Sequence, residues 1–369
     1  MSRPRFSIAI GLALTALVLL RTHMKLARLF VGSLSAALLG AVLAAQAPQG
    51  EIDAHIAAAR AAAGLDFRNT LVNLCPTGAA PAAARAAADR GAASAGQAGR
   101  GRGAGGTPSA PDRTTWYAPP LKVFDNLYWL GTRQHSSWAL QTSAGIILVD
   151  TNFAWATESE IIQGLTTLGL DPRNLKYVII SHAHGDHDQG AAELQKRFGA
   201  KVVMGAPDWE TMLRRPATAA GGVPTRDVVV GPEGMKLTLG DTTVEIVATP
   251  GHTPGTLSHV FSVKDQGRTV VIAYSGGTLT GGFGTDGAKW DEYIESQRKI
   301  AKAAADGGAT VILSNHSEYD GAYTKARLLL VPRQPGENHP FIVGADGVQR
   351  YFTVMAECAL AAKLRVGAK

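Results

Sequence analysis

Cysteine is scarce in this chain of 369 residues: only Cys75 and Cys358 occur, far apart and in no CxxC spacing. That excludes a thiolate zinc site and a dense disulfide framework, and leaves either one disulfide in an oxidising compartment or two free thiols. Charge of one sign is also missing from most of the chain. Residues 1–113 hold 12 Lys/Arg against 5 Asp/Glu, whereas residues 114–369 hold 24 against 25, so the formal net charge of +6 arises in the first third. A nucleic-acid surface needs basic residues clustered on a folded face, and the near-neutral remainder excludes one for the main domain. No internal repeat is visible. No G-x-S-x-G stretch occurs either, so the strand-to-helix elbow of a serine nucleophile is absent.

Long hydrophobic runs are missing as well. Two apolar stretches open the chain, "FSIAIGLALTALVLL" from Phe6 and "LFVGSLSAALLGAVLAA" from Leu29, each shorter than the roughly 20 residues a membrane span needs. With Met24 as the true start, Lys25 and Arg28 form a charged n-region, Leu29 to Leu43 an apolar core, and Ala45-Gln46-Ala47 a small-x-small cleavage site. Residues 1–47 therefore read as a secretory signal, with a retained anchor as the alternative. Either exports the rest to the periplasm or beyond and limits membrane contact to this segment.

Residues 48–77 read as a short helical segment that can pack on the main domain. Residues 79–107 are almost purely Ala, Gly, Arg and Ser, with too little apolar bulk to offset the entropy of ordering, and 78–114 read as a flexible linker. From 115 to 369, β-branched runs such as "GIILVDT", "YVIISH", "TVEIVAT" and "TVILSNH" alternate with helix-like stretches. Consecutive strands with helices inserted between groups predict two packed sheets with helices outside. The length suits one large domain plus accessory segments, or two ordinary domains.

What the chain does have is histidine in unusual concentration. "ISHAHGDHDQG" (Ile180 to Gly190) follows a hydrophobic strand and puts His182, His184, Asp186 and His187 within six positions. In extended chain, residues i and i+2 point the same way, so His182 and His184 can reach one point. Gly185 permits a sharp turn that lets Asp186 and His187 reach a second. Neutral imidazole and carboxylate are the donors that borderline metals such as zinc prefer. Two other strand ends supply further histidines, His252 in "VATPGHTPGT" and His316 in "VILSNHSEYD". His259 reads as a strand residue, His135 as an ordinary loop residue with lining of the substrate cleft as the lesser alternative, and His55 and His339 as surface residues.

The pair "HAHGDH" and "TPGHTPG" resembles the signature of the metallo-β-lactamase superfamily, over roughly residues 116–369. The resemblance implies an α+β, αββα sandwich of two mixed sheets, with His182, His184 and His252 holding one Zn2+ and Asp186, His187 and His316 a second. Most hydrolytic branches add an Asp that bridges both metals; here that position falls on Gly277, in "YSGGTLTGG". Its absence, together with the Asp-His-His second set, resembles subclass B3. That subclass implies hydrolysis of the β-lactam amide of penicillins, cephalosporins or carbapenems, an antibiotic-resistance activity. A hydroxide bridging two metals would attack the amide carbonyl, with Asp186 as both ligand and orienting group. Thr278 and Thr280 match the hydroxyl side chains that contact the lactam carboxylate. "DQGAA" departs from the family pattern, so Asp188 and Gln189 are expected to reshape the mouth of the site. A lactonase or ester or thioester hydrolase is the alternative, and a non-enzymatic binding protein a third reading, against which the complete donor set counts.

Overall fold

The computed structural model describes residues 49–75, 110–278 and 283–368. The expected signal, most of the expected linker and Thr280 lie outside them. The chain divides into two compact units, residues 1–53 and 54–369. Of the first, residues 49–53 are described and are helical.

The second unit is built on two sheets. The first has seven strands in sequence order: β1 (Leu121–Phe124), β2 (Leu127–Trp129), β3 (Trp138–Thr142), β4 (Gly145–Val149), β5 (Leu175–Ile179), β6 (Lys201–Gly205) and β7 (Val228–Val230). The second runs β12-β11-β10-β9-β8, with β8 (Met235–Leu239), β9 (Thr242–Ala248), β10 (Leu257–Asp265), β11 (Arg268–Ser275) and β12 (Val311–Ser314). Both are mixed: β1 to β4 pair antiparallel and β4 to β7 parallel, while β12 joins β11 in parallel.

Parallel neighbours need a crossover, and helices supply it. The helix Ala191–Phe198 connects β5 to β6, Ala206–Leu213 leads from β6 towards β7, and the long helix Gly287–Asp306 lies between β11 and β12. The sequence follows the same logic. β12 is buried at every position, as a strand covered on both faces must be, whereas β9 alternates buried and exposed through "TTVEI".

Three apolar clusters mark the layers. Trp129, Trp138, Ile147, Val203, Phe261, Tyr274 and Leu313 fill the space between the sheets. Leu148, Ile161, Leu165, Leu194 and Trp209 close the outer face of the first sheet under its helices. Ile300, Tyr351, Phe352 and Met355 do so for the second, joined by Ala59, Ala63, Phe67 and Leu71 from the helices over residues 54–63 and Arg68–Leu74. This is the αββα sandwich the motifs imply.

Cys75 and Cys358 are bonded to each other, which settles the open pairing and ties the Arg68–Leu74 helix to the last helix, Gly344–Arg365. Two polar contacts parallel this link: His55 lies 2.6 Å from Glu357, and Arg350 pairs with Asp66 at 2.6 Å. His55 is thus half-buried against the domain. His339, expected at the surface, is buried; it stacks on Phe124 at 4.1 Å and its Nε2 meets the Val123 carbonyl at 2.8 Å.

Candidate metal centre

Five strands end at one place, and each delivers part of the site. Asp150 follows β4, His182 lies just beyond β5, His252 follows β9, Gly276 to Thr278 follow β11, and His316 lies just beyond β12. The carboxyl ends of parallel strands are where open α/β sheets gather their ligands.

His182, His184 and His252 form the first donor set. The His252 Nε2 lies 3.1 Å from both His182 Nε2 and His184 Nδ1. One proton cannot satisfy two such contacts, whereas nitrogens about 2.0–2.1 Å from one tetrahedral zinc are spaced about 3.3 Å apart. The His182 Nδ1 faces the Gly276 carbonyl at 2.9 Å, an acceptor only, which leaves the Nε2 lone pair directed at the centre. Burial, reinforced by the neighbouring histidines, pushes His182 well below the usual imidazole range, and burial also lowers His184. Both rings are therefore neutral, the form a metal requires.

Asp186, His187 and His316 form the second set. The Asp186 Oδ2 lies 3.1 Å from His187 Nε2 and 3.3 Å from His316 Nε2, and those two nitrogens are 3.2 Å apart. His187 turns its Nδ1 to the Asp150 carboxylate at 3.0 Å, so this ring too presents Nε2. Burial works against charge on His187, but Asp186 and Asp150 outweigh it and raise it to about 10. Burial likewise opposes ionisation of Asp186, yet the adjacent rings hold its carboxyl well below the usual range. The six residues expected as ligands thus converge as two triads, and the donor chemistry fits zinc.

The local chain differs from expectation in one respect. His182 to His184 is a tight turn, closed by the His184 N–H on the His182 carbonyl at 3.0 Å, and Gly185 opens a single helical turn, Gly185–Asp188. Gly185 is not in the left-handed region, and a Cβ there would meet only the movable end of the Gln189 side chain, at 2.5 Å.

Two carboxylates that the sequence reading missed hold the triads in place. Asp150, at φ +61°, accepts from the Ser181 N–H and hydroxyl, the Tyr274 hydroxyl and His187. Asp208 accepts from Ala183 N–H, Thr253 Oγ1 and Gly255 N–H, and so bolts the loop of His182 and His184 to the loop of His252. Each follows a buried strand closely, the same signal that marked the histidines. Asp188 is buried and paired with Arg215 at 2.6 Å, and Gln189 accepts from Ala154 N–H.

Gly277 sits against the first triad: a Cβ there would lie 2.6 Å from His252 Cβ and 2.9 Å from Thr256 Cγ2. No side chain fits, and a bridging carboxylate least of all. Thr278 is buried with its hydroxyl on Asn315 Oδ1, and Asn315 in turn donates to the Gly276 carbonyl. Beside the second triad stands an aromatic wall, in which Phe153 meets His135 edge-on at 5.0 Å and stacks on Trp155, itself 4.6 Å from Trp116. His259 is buried against Tyr274, away from the donors, as a strand residue should be.

The fold is that of the metallo-β-lactamase superfamily, and residues 130–273 match that family. Among solved structures the chain is similar to BJP-1, a subclass B3 metallo-β-lactamase of Bradyrhizobium japonicum, at 29% identity and a TM-score of 0.55, over 66% of this chain and 93% of that one. Among curated relatives it is similar to a hydroxyacylglutathione hydrolase of Acidiphilium cryptum (36% identity over 87 residues, 24% of this chain) and to metallo-β-lactamase domain-containing protein 1 of Xenopus laevis (31% over 172 residues, 46% of this chain). The matches span 31% and 65% of those two relatives.

Proposed function

We propose that this protein is a zinc-dependent hydrolase of the β-lactam amide, related to subclass B3, and that it acts in the periplasm or outside the cell. The observation that carries this reading is Gly277, where the close approach of His252 leaves no room for the bridging carboxylate of the thioester- and lactone-cleaving branches. Two zinc ions bound at the triads would supply Lewis acidity and an activated water.

The chain's own residues do the rest. Asp186 stays ionised and holds its Oδ2 at the mouth of the second triad. Asp150 fixes the His187 tautomer, and Asp208 fixes the spacing of the first triad. The wall of Trp116, Phe153 and Trp155 offers an apolar face to a ring system; the resemblance suggests Thr278 and Thr280 as contacts for a substrate carboxylate, and Thr278, buried with its hydroxyl on Asn315, would have to turn from that partner to serve. A second reading, a thioester hydrolase, is favoured by the name of the Acidiphilium cryptum relative.

Hydrolysis of a chromogenic cephalosporin, a hydroxyacylglutathione and a homoserine lactone, each with chelator and after zinc add-back, separates the two. Chelator-sensitive lactam turnover well above the others is expected. Turnover confined to the thioester or lactone would overturn the lactamase reading.

A further inference from the structure

One histidine at the centre belongs to neither triad. His135 lies on the loop between β2 and β3, is buried, and directs Nε2 toward the Asp186 carboxylate at 3.6 Å. Its Nδ1 is turned the other way, 3.3 Å from Thr132 Oγ1. A separation of 3.6 Å is too long for a hydrogen bond, but it suits two donors that share one ion. The donor atoms of His135, Asp186 and His316 all lie within 4.8 Å of one another.

The ring is also held in place. Its backbone N–H bonds to Thr132 Oγ1 at 2.9 Å, and its carbonyl receives Thr132 N–H at 2.7 Å. Gly131 makes that turn possible, since a Cβ there would sit 2.5 Å from the His135 carbonyl. On either side the loop is stitched to the segment carrying His316: Ser136 N–H donates to the Asn315 carbonyl at 2.9 Å, and Ser317 N–H to the Gln134 carbonyl at 2.7 Å. His135 and His316 are bridge partners in this pairing, with their rings 4.9 Å apart. Such backbone pairing fixes His135 relative to the second triad as firmly as a strand neighbour would.

We propose that His135 is a fourth protein donor to the second metal, which this chain would then hold with His135, Asp186, His187 and His316. The inference rests on the two-metal reading above. The rings of His135 and His187 lie 6.3 Å apart, so His135 must turn toward the ion for all four donors to share it; four protein donors then fill a tetrahedral shell and hold the second ion more tightly than three would, and any water it carries requires a fifth position.

The test is cadmium NMR on the full chain, loaded with 113Cd and carrying 15N-labelled histidine. Two cadmium resonances are expected, each coupled to three imidazole rings: His182, His184 and His252 for one, His135, His187 and His316 for the other. His135→Gln should remove one ring from the second resonance and none from the first, and weaken cadmium binding there by at least about tenfold. Two resonances of which the second couples to only two rings would overturn the role of His135 and leave the two-metal site standing. A single resonance would overturn both.

Discussion

At the scale of single residues, the donors were legible because metal binding demands particular atoms in short spacings, and "HAHGDH" supplies them within six positions. The residues that orient those donors were not, because Asp150 and Asp208 carry no motif of their own and act only once the fold brings His187, Ala183 and Thr253 to them. Asp150→Asn keeps the shape but presents an amide where His187 Nδ1 needs an acceptor. Outer partners of this kind are worth about 10–100-fold in metal affinity, and a loss in that range at the second site is expected in a competition titration against a chromophoric chelator. An unchanged affinity would show that Asp150 serves folding alone. Gly277→Ala makes the complementary case at the first site. Its Cβ would press on His252, and overpacking of that order costs about 1–3 kcal/mol. Lower thermal stability with weakened metal binding at the first triad is expected; a variant that binds zinc as the parent does would remove the argument against a bridging side chain.

At the scale of elements, long or strongly patterned segments could be read and short ones could not. "GIILV" and "VILS" announce buried strands, and the periodic run near Trp290 announces the Gly287–Asp306 helix. β1, β2 and β7 have only four, three and three residues, too few for alternation to stand out, and their pairing partners rather than their own sequence make them strands. The segment between β4 and β5 holds a second surprise, a stretch of π-helix over Thr157–Ile162. It buries Glu160, whose Oε1 has no hydrogen-bond partner among the described residues. Burial raises that carboxyl to about 7, against the smaller opposing effects of Ser159 and Arg113. A folded pKa above the unfolded one means that the unfolded chain loses its proton first, so stability falls as pH rises from the unfolded value through about 7. Glu160→Gln should therefore be nearly neutral at pH about 5 and stabilising by on the order of 2 kcal/mol at pH about 8. Equal melting temperatures of variant and parent at both pH values would refute the burial argument.

At the scale of the whole molecule, the disulfide reaches further than its two sulfurs. It joins residues 283 positions apart and fastens the Arg68–Leu74 helix to the Gly344–Arg365 helix. The fastened helix has a contact on its other side, where the buried Thr70 hydroxyl donates to the Tyr319 carbonyl at 2.6 Å. Tyr319 belongs to the helical turn Ser317–Asp320, which His316 precedes directly. A path of covalent and hydrogen-bonded contacts thus runs from Cys358 to His316 in the second triad, while the first triad is held chiefly by Asp208 and meets that path only indirectly, where Asn315 and His182 share the Gly276 carbonyl. Replacing both cysteines by serine should lower stability by about 2–5 kcal/mol, read as a fall in melting temperature. It should also release zinc from the second triad to a chelator faster than from the first. If both ions leave at the parent's rates despite the lost stability, the helix supports the fold without steadying the His316 turn. If the second alone is hastened, the disulfide conditions the metal centre as well as the fold.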